Sequence, residues 1–182
     1  MTLGPDGLLR EARYIASSNC DERPAHTPVT LLLLHAISLP PGRYGGDHIE
    51  RFFTNRLDPG AHPYFREIGA LRVSAHFLIR RDGRVVQFVP VQRRAWHAGV
   101  SCWRGRERCN DFSVGVELEG TDDGAFEPLQ YGSLRELVCA LRAALPLQDI
   151  AAHSDVAPGR KSDPGAQFDW ARLLCALAER NP

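Results

Sequence analysis

The sequence predicts a single α/β domain. Short apolar runs with the composition of strands alternate with segments that carry the 3.6-residue apolar stripe of helices. The chain has 182 residues and is 43% hydrophobic, which suits one domain with a sizeable core rather than a disordered chain. We therefore expect one domain over residues 1–182, with residues 1–23 as a lead-in segment.

The charge balance and the cysteine pattern limit the classes of protein to which this chain can belong. The formal net charge is zero, which argues against nucleic-acid binding driven by bulk electrostatics. The N-terminus lacks the pattern of a signal peptide, and no apolar run approaches the roughly 20 residues that span a bilayer. The five cysteines are odd in number and never form Cys-x-x-Cys. We expect a cytoplasmic monomer with reduced thiols and no nucleic-acid or membrane partner.

Four segments are typical of strands. Val29–His35 is apolar on both faces, as in a strand buried in the middle of a sheet, and we expect it to end at the histidine. Ser74–Pro90 reads as a hairpin, because Asp82-Gly83 provides turn chemistry between two apolar runs. Ser113–Gly120 alternates strictly, and a short strand at Ile150–Ala152 leads into His153.

Three segments are typical of helices. Asp47 is positioned to cap a short helix over Asp47–Phe53. Ser133 and Glu136 form a capping-box pattern that would open a helix to about Leu145. A last helix is expected over roughly Gln167–Arg180. The residues that it would present to the core are Phe168, Ala171, Leu174 and Leu177.

The stretch Ala152–Gly165 carries the main chemical hypothesis. It holds His153 and Asp163 on one short irregular segment, and His35 stands far upstream at the end of the first buried strand. Two neutral imidazoles and a carboxylate are the ligand set of a catalytic zinc with one position open for water. His76 is left out of this set, because lone histidines within strands are more often packed than bound to metal.

Two glutamates are candidates for catalysis. Alternation in the strand Ser113–Gly120 places Glu117 and Glu119 on the same face, opposite its apolar residues. A carboxylate in a largely apolar strand requires either an ion pair or a catalytic role. Periodicity does not choose between the two.

The segment Arg94–Phe112 is aromatic and basic with little periodicity, and is predicted to be a long functional loop. Its arginines, Arg104, Arg106 and Arg108, either form a solvated face or receive an anionic ligand. The residues favour neither alternative.

Four stretches of the chain resemble a known family when taken in order. They are LLLHAISLPPGRYGG, LRVSAHFLIRRDGRVVQFVP, RAWHAGVSCWRGRERCNDFSVGVELEGTD and AHSDVAPGRKSDPG. Loops as well as strands resemble the N-acetylmuramoyl-L-alanine amidases, from about Pro24 to Trp170, and most closely the cytoplasmic 1,6-anhydro-muramyl type. That group is related to the peptidoglycan-recognition proteins.

This resemblance implies a fold, a reaction and a set of residues. The family fold is a mixed central β-sheet flanked by helices. The family's zinc ligands map onto His35, His153 and Asp163, its catalytic glutamate onto Glu117 and its catalytic lysine onto Lys161. The reaction implied is zinc-dependent hydrolysis of the amide between the lactyl group of (1,6-anhydro-)N-acetylmuramic acid and L-alanine, in cell-wall recycling.

The muramyl-peptide substrate carries peptide carboxylates, so Arg72 and Arg108 are candidates for its binding. Trp96 either stacks on a sugar face or packs the loop, and His97 is expected to be a structural loop histidine. Three rival interpretations remain: a catalytically inactive receptor for muramyl peptides, a metal-dependent peptidase or deacetylase on another fold, and an interaction protein with incidental histidines.

Overall fold

The computed structural model describes residues 1–179, which are built around a six-stranded mixed β-sheet. The strand order is β1-β5-β4-β9-β3-β10, and only the β4–β5 pair is antiparallel. The strands of this sheet are β1 (Arg13–Tyr14), β3 (Leu31–Ile37), β4 (Phe77–Ile79), β5 (Val85–Gln87), β9 (Ser113–Glu119) and β10 (Asp149–Ala152). The mixed sheet with flanking helices confirms the predicted fold class.

Shorter elements complete the chain. Strand β2 (Cys20–Glu22) pairs with β6 (Arg93–Ala95), and β7 (Cys102–Trp103) pairs with β8 (Arg106–Glu107). The helices are α1 (His48–Phe53), α2 (Pro63–Ile68), α3 (Pro128–Ala144), α4 (His153–Val156) and α5 (Trp170–Ala178), and a 3₁₀ turn lies at Cys109–Asp111. The long loop expected over Arg94–Phe112 thus includes a hairpin, β7 and β8, whose strands are two residues long each.

The centre of the sheet is the parallel pair of β3 and β9. Leu31 to Leu34 are all buried, as expected for a strand covered on both faces. The expectation that this strand ends at His35 was wrong. It continues to Ile37, because the register with β9 runs from Leu31↔Ser113 to Ile37↔Glu119 and the Gly120 amide donates to the Ile37 carbonyl. His35 therefore lies opposite Glu117, inside the sheet.

The predicted hairpin is confirmed as β4 and β5. Its strands pair from Phe77↔Gln87 to Ile79↔Val85. Gly83 adopts a φ of 82° in the turn, a conformation that favours glycine. The hairpin joins the sheet through β4, which pairs in parallel with β9.

Helices α3 and α5 cover one face of the sheet. Alternate residues of the central strands, such as Leu32 and Val116, pack in one buried cluster with Leu134 of α3 and Leu173 of α5. This face contains no candidate site residue among those predicted. Its role is to bury the apolar side of β3 and β9.

The predicted boundaries of both helices need correction. Helix α3 begins at Pro128 with a capping box between Glu127 and Gln130, so Ser133 lies within the helix and its hydroxyl donates to the Gly83 carbonyl instead. Helix α5 begins three residues later than expected, with Asp169 as its cap. The residues of α5 that face the core therefore differ from those predicted.

Leu173 is fully buried, whereas Leu174 is 55% exposed, so the prediction of Leu174 as a core residue was wrong. Phe168, which was also predicted to face the core, is buried just before the helix. The expected helix end at Arg180 lies outside the described residues.

The opposite face of the sheet is covered by two separate apolar clusters. One packs α1 and α2 against β4 and β5, and includes Phe52, Phe65 and Leu78. The other packs α4 and the loop before β9 against β3, and includes Leu33 and Val156. The predicted helix α1 is confirmed, but Asp47 makes no capping hydrogen bond and pairs with Arg51. The candidate site lies between these clusters.

Two further sequence expectations are addressed by the structure. All five cysteines are free thiols. Within residues 1–179, no helix combines the length and the apolarity that crossing a bilayer requires.

Candidate functional site

Three predicted ligands meet at one point between the two apolar clusters. His35 Nδ1 lies 2.9 Å from His153 Nδ1 and 3.2 Å from Asp163 Oδ2, and His153 Nδ1 lies 3.0 Å from the same carboxylate oxygen. The order of the strands explains this convergence. Because β10 pairs in parallel with β3 up to Ala152↔Leu34, His153 emerges beside His35. The Ser154 amide donates to the Asp163 carbonyl and holds the Asp163 segment against α4.

The donor set fits a tetrahedral metal ion. Ligand atoms about 2.0–2.1 Å from a tetrahedral zinc lie about 3.3 Å from one another, close to the sides of the observed triangle. Burial lowers the pKa of His35 to about 4, which favours the neutral imidazole that a metal requires. Burial raises the pKa of Asp163, but its hydrogen bonds with His153 and His35 outweigh this effect and hold it below its usual value.

The second nitrogen of each histidine is also engaged. His35 Nε2 lies 3.0 Å from His97 Nδ1, and His153 Nε2 lies 3.1 Å from the Ala98 carbonyl oxygen. Burial lowers the pKa of His97 well below its usual value, so this ring is neutral. His97 was expected to be a structural loop histidine. It lies next to the predicted ligand His35, at a ring-centroid distance of 5.1 Å.

His76 is buried away from the triangle. Its Nδ1 accepts a hydrogen bond from the Gly115 amide, and its Nε2 lies 3.0 Å from the Arg93 carbonyl oxygen. These contacts match the expectation that His76 is a packed histidine outside the ligand set, although it lies one residue before β4.

Glu117 provides a buried carboxylate in the same cavity. It lies opposite His35 in the β3–β9 register and is 9% exposed. Its Oε2 finds no hydrogen-bond partner among residues 1–179. Burial raises the pKa of Glu117 well above its usual value, the charge of Asp163 adds to this effect, and Lys161 opposes it. A carboxyl group with a raised pKa in a cleft is typical of general acid–base catalysts.

Glu119, the alternative that periodicity left open, is fully paired. Its Oε1 accepts from Arg80 at 3.0 Å and from the Gly45 amide at 2.7 Å, and its Oε2 accepts from the Arg81 amide at 3.3 Å. Arg80 also binds Glu50 and the Gly46 carbonyl. Glu119 therefore anchors the loop before α1 and does not face the cavity.

The triangle and Glu117 line one cavity of about 460 Å³. Lys161 also lies on its wall, and the structure exposes this side chain to solvent. The cavity has a second, largely apolar side formed by α1, α2 and the segment after α2. That side includes Phe52, Phe53, Tyr64, Ile68, Leu71 and Val73. The sequence carries no signal for this apolar side, because apolar residues of short helices have the same pattern whether they face a core or a cleft.

The three predicted substrate-binding residues occupy different places. Trp96 lines the cavity. Arg72 does not, and its guanidinium donates to the carbonyls of Gly69, Ala70 and Leu71. Arg108 also lies off the cavity wall, 71% exposed and 3.4 Å from Asp111. Their roles in substrate binding remain predictions.

The arginines of the loop before β9 contact other protein groups. Arg104 pairs with Asp149 at 3.0 Å, and Arg106 lies 3.9 Å from the centre of the Phe112 ring. These contacts favour a structural role over an anion site for Arg104 and Arg106, whereas Arg108 stays a predicted substrate contact.

Comparisons with known proteins identify relatives of this chain. Residues 25–166 match the family described as N-acetylmuramoyl-L-alanine amidase (Amidase_2). The chain is 55% identical to the 1,6-anhydro-N-acetylmuramyl-L-alanine amidase AmpD of Escherichia coli K12 over 175 residues, covering 95% of this chain and 96% of that protein.

Solved structures are similar as well. A crystal structure of a selenomethionine AmpD derivative has a TM-score of 0.95 at 52% identity, covering 97% of this chain and 99% of that one. The amidase AmiD of E. coli, in complex with anhydro-N-acetylmuramic acid-L-Ala-D-γ-Glu-L-Lys, has a TM-score of 0.61 at 27% identity, covering 88% and 66%. The family match and these relatives together show that the chain belongs to the N-acetylmuramoyl-L-alanine amidase family.

Proposed function

We propose that this chain is a zinc-dependent amidase that hydrolyses the bond between the lactyl group of 1,6-anhydro-N-acetylmuramic acid and L-alanine. The single observation that carries the proposal is a free, buried Glu117 carboxylate in the same cavity as the His35, His153 and Asp163 donor triangle. The E. coli relative with 55% identity is named for this reaction, and the AmiD complex contains a substrate of this chemistry.

The metal would be held by His35 Nδ1, His153 Nδ1 and Asp163 Oδ2. A bound zinc supplies Lewis acidity toward water and the amide carbonyl. Two neutral imidazoles and one carboxylate give the site a net charge of +1 with a divalent ion. A harder oxygen ligand in place of a thiolate suits hydrolysis.

Glu117 is proposed as the general base and acid. Its carboxylate takes a proton from the attacking water as the water oxygen adds to the lactyl carbonyl carbon. The protonated Glu117 then gives that proton to the alanine nitrogen as the carbon–nitrogen bond breaks. The products are a lactyl carboxylic acid and a peptide with a free L-alanine amine, so that atoms and protons balance.

Lys161 is proposed to stabilise the developing oxyanion. Lys161 lies on the cavity wall, and its charge opposes the rise in the pKa of Glu117. A single donor of this kind contributes about 3–4 kcal/mol to transition-state stabilisation. Trp96, on the same wall, is proposed to stack on a sugar face.

Mass spectrometry of an anhydro-muramyl tripeptide digest tests substrate, bond and metal together. We expect cleavage to anhydro-N-acetylmuramic acid and the free tripeptide, and loss of cleavage after treatment with a chelator. Return of activity on addition of zinc controls for damage by the chelator. An intact substrate after incubation with zinc-loaded protein would exclude the proposed reaction.

A further inference from the structure

Ser113, His97 and His35 form a chain of hydrogen bonds in which the donor and the acceptor of each contact are fixed. Ser113 Oγ lies 2.6 Å from the Cys109 carbonyl oxygen, which only accepts, so the serine hydroxyl donates. Ser113 Oγ is then free to accept from His97 Nε2 at 3.3 Å. In a neutral imidazole one nitrogen donates and the other accepts, so His97 presents the lone pair of Nδ1.

This lone pair faces His35. His97 Nδ1 lies 3.0 Å from His35 Nε2, which must therefore carry the hydrogen. The lone pair of His35 is then on Nδ1, the nitrogen directed at His153 and Asp163. A wrong tautomer of His35 would direct an N–H at the ion. His153 has the same tautomer for a simpler reason. Its Nε2 lies 3.1 Å from the Ala98 carbonyl oxygen, which only accepts, so Nε2 carries the hydrogen.

The protein holds His97 from two sides. Asn110 Oδ1 accepts from the backbone amides of His97 and Ala98, at 3.2 and 2.8 Å. On the β9 side, the ring of His97 packs over Gly115, where an added Cβ would lie 2.6 Å from the ring atoms Cγ and Nδ1. Real Cβ atoms do not approach so closely, and the ring could not stay in place beside a larger residue.

We propose that His97 is a positioning residue that fixes the tautomer and orientation of His35 for metal binding, with Ser113 orienting His97 and Gly115 providing its space. This inference rests on the metal site of the proposed function. It assigns roles to three residues, His97, Ser113 and Gly115, that would otherwise be attributed to loop packing and strand geometry. Partners of this kind typically contribute 10–100-fold to metal affinity.

The test compares zinc affinity between two replacements of His97, by competition with a chromophoric chelator. His97→Phe fills the space without an acceptor, and we expect zinc affinity to fall 10–100-fold. His97→Asn places an amide oxygen near the position of Nδ1, and we expect it to recover at least half of this loss on a logarithmic scale. Equal weakening in both variants would show that an acceptor at this position does not contribute to zinc binding, and would overturn the proposal.

A glycine pair provides the matched control if His97→Phe does not fold. Gly115→Ala displaces the ring and is expected to weaken zinc binding at least tenfold. Gly132→Ala in α3, where an added Cβ meets nothing within 4 Å, is expected to bind zinc like the wild type. Wild-type affinity in Gly115→Ala would exclude the inference and leave the metal site standing, whether or not His97→Phe folds. A wild-type chain that binds no zinc would instead exclude the metal site itself.

Discussion

Two buried glutamates, two residues apart on one strand, behave as different kinds of group. Glu117 and Glu119 project from the same face of β9, and both are at most 9% exposed. Glu119 is bound by Arg80 and two backbone amides, whereas one oxygen of Glu117 has no partner within the described residues. Burial alone therefore does not distinguish a candidate catalytic carboxylate from a structural one. The distinguishing feature is burial without compensation, because it raises the pKa and leaves the group free to exchange protons.

The largest expected effect of a single change is loss of turnover in Glu117→Gln. The amide keeps the shape of the side chain but cannot accept a proton, so kcat should fall about 10²–10⁴-fold. Zinc content should stay near one ion per chain, because Glu117 is not one of the proposed ligands. The measurement is steady-state hydrolysis of an anhydro-muramyl peptide together with metal analysis. Wild-type turnover in this variant would remove Glu117 from the mechanism.

The matched change, Glu119→Gln, should act on stability. It removes the charge partner of a buried arginine, and breaking a buried ion pair costs about 3–5 kcal/mol. Arg80 retains Glu50 at 2.7 Å, so we expect the lower end of that range. Urea unfolding measures this loss, and kcat of the folded variant should stay within about tenfold of the wild type. A loss of turnover as large as that of Glu117→Gln, without destabilisation, would erase the contrast between the two residues.

The smallest expected effect is on the pH dependence of stability in the metal-free protein. The pKa of Glu117 is raised in the folded state, so the native chain keeps a proton that the unfolded chain releases above about 4.5. Stability therefore falls as pH rises from the unfolded pKa to the folded pKa, by about 1.4 kcal/mol for each unit of the shift.

A glutamine does not titrate, so Glu117→Gln lacks this penalty. The free energy of unfolding of the metal-free variant, relative to the metal-free wild type, should therefore be higher at pH 8 than at pH 5. Urea unfolding at both pH values, with a chelator present, measures the gain. Because His35 and Asp163 are common to both proteins, their titration largely cancels in the difference. An equal difference at the two pH values would show that burial does not raise the pKa of Glu117.

The same contrast shows how far sequence reasoning reaches at the site. Residue chemistry alone predicts His35, His153 and Asp163 as ligands, and the structure brings them together. Alternation placed Glu117 and Glu119 on one face but had no means to separate them. The difference depends on Arg80 and on the amides of Gly45 and Arg81, which come from other parts of the chain. Only the family resemblance favoured Glu117 beforehand.

Element boundaries were harder to predict than element types, for a related reason. The strand at Val29–His35 was recognised, but its extension to Ile37 depends on pairing with β9. The start of α3 was misplaced at Ser133, because a Ser-x-x-Glu pattern within a helix is identical in sequence to one at its beginning. Glu127 and Gln130 form the actual capping box.

The sequence by itself determined the fold class, the central strand, the hairpin and the candidate metal-binding triad, because apolar periodicity and residue chemistry are local properties. The tertiary structure decided which carboxylate oxygen is left unpaired among the described residues, which nitrogen of each histidine faces the candidate metal site, and which apolar residues line a cleft. These depend on partners such as His97, Ala98 and Ser113 that approach from separate segments. No local sequence pattern predicts these contacts, because they form only when the parallel strands are side by side in the folded chain.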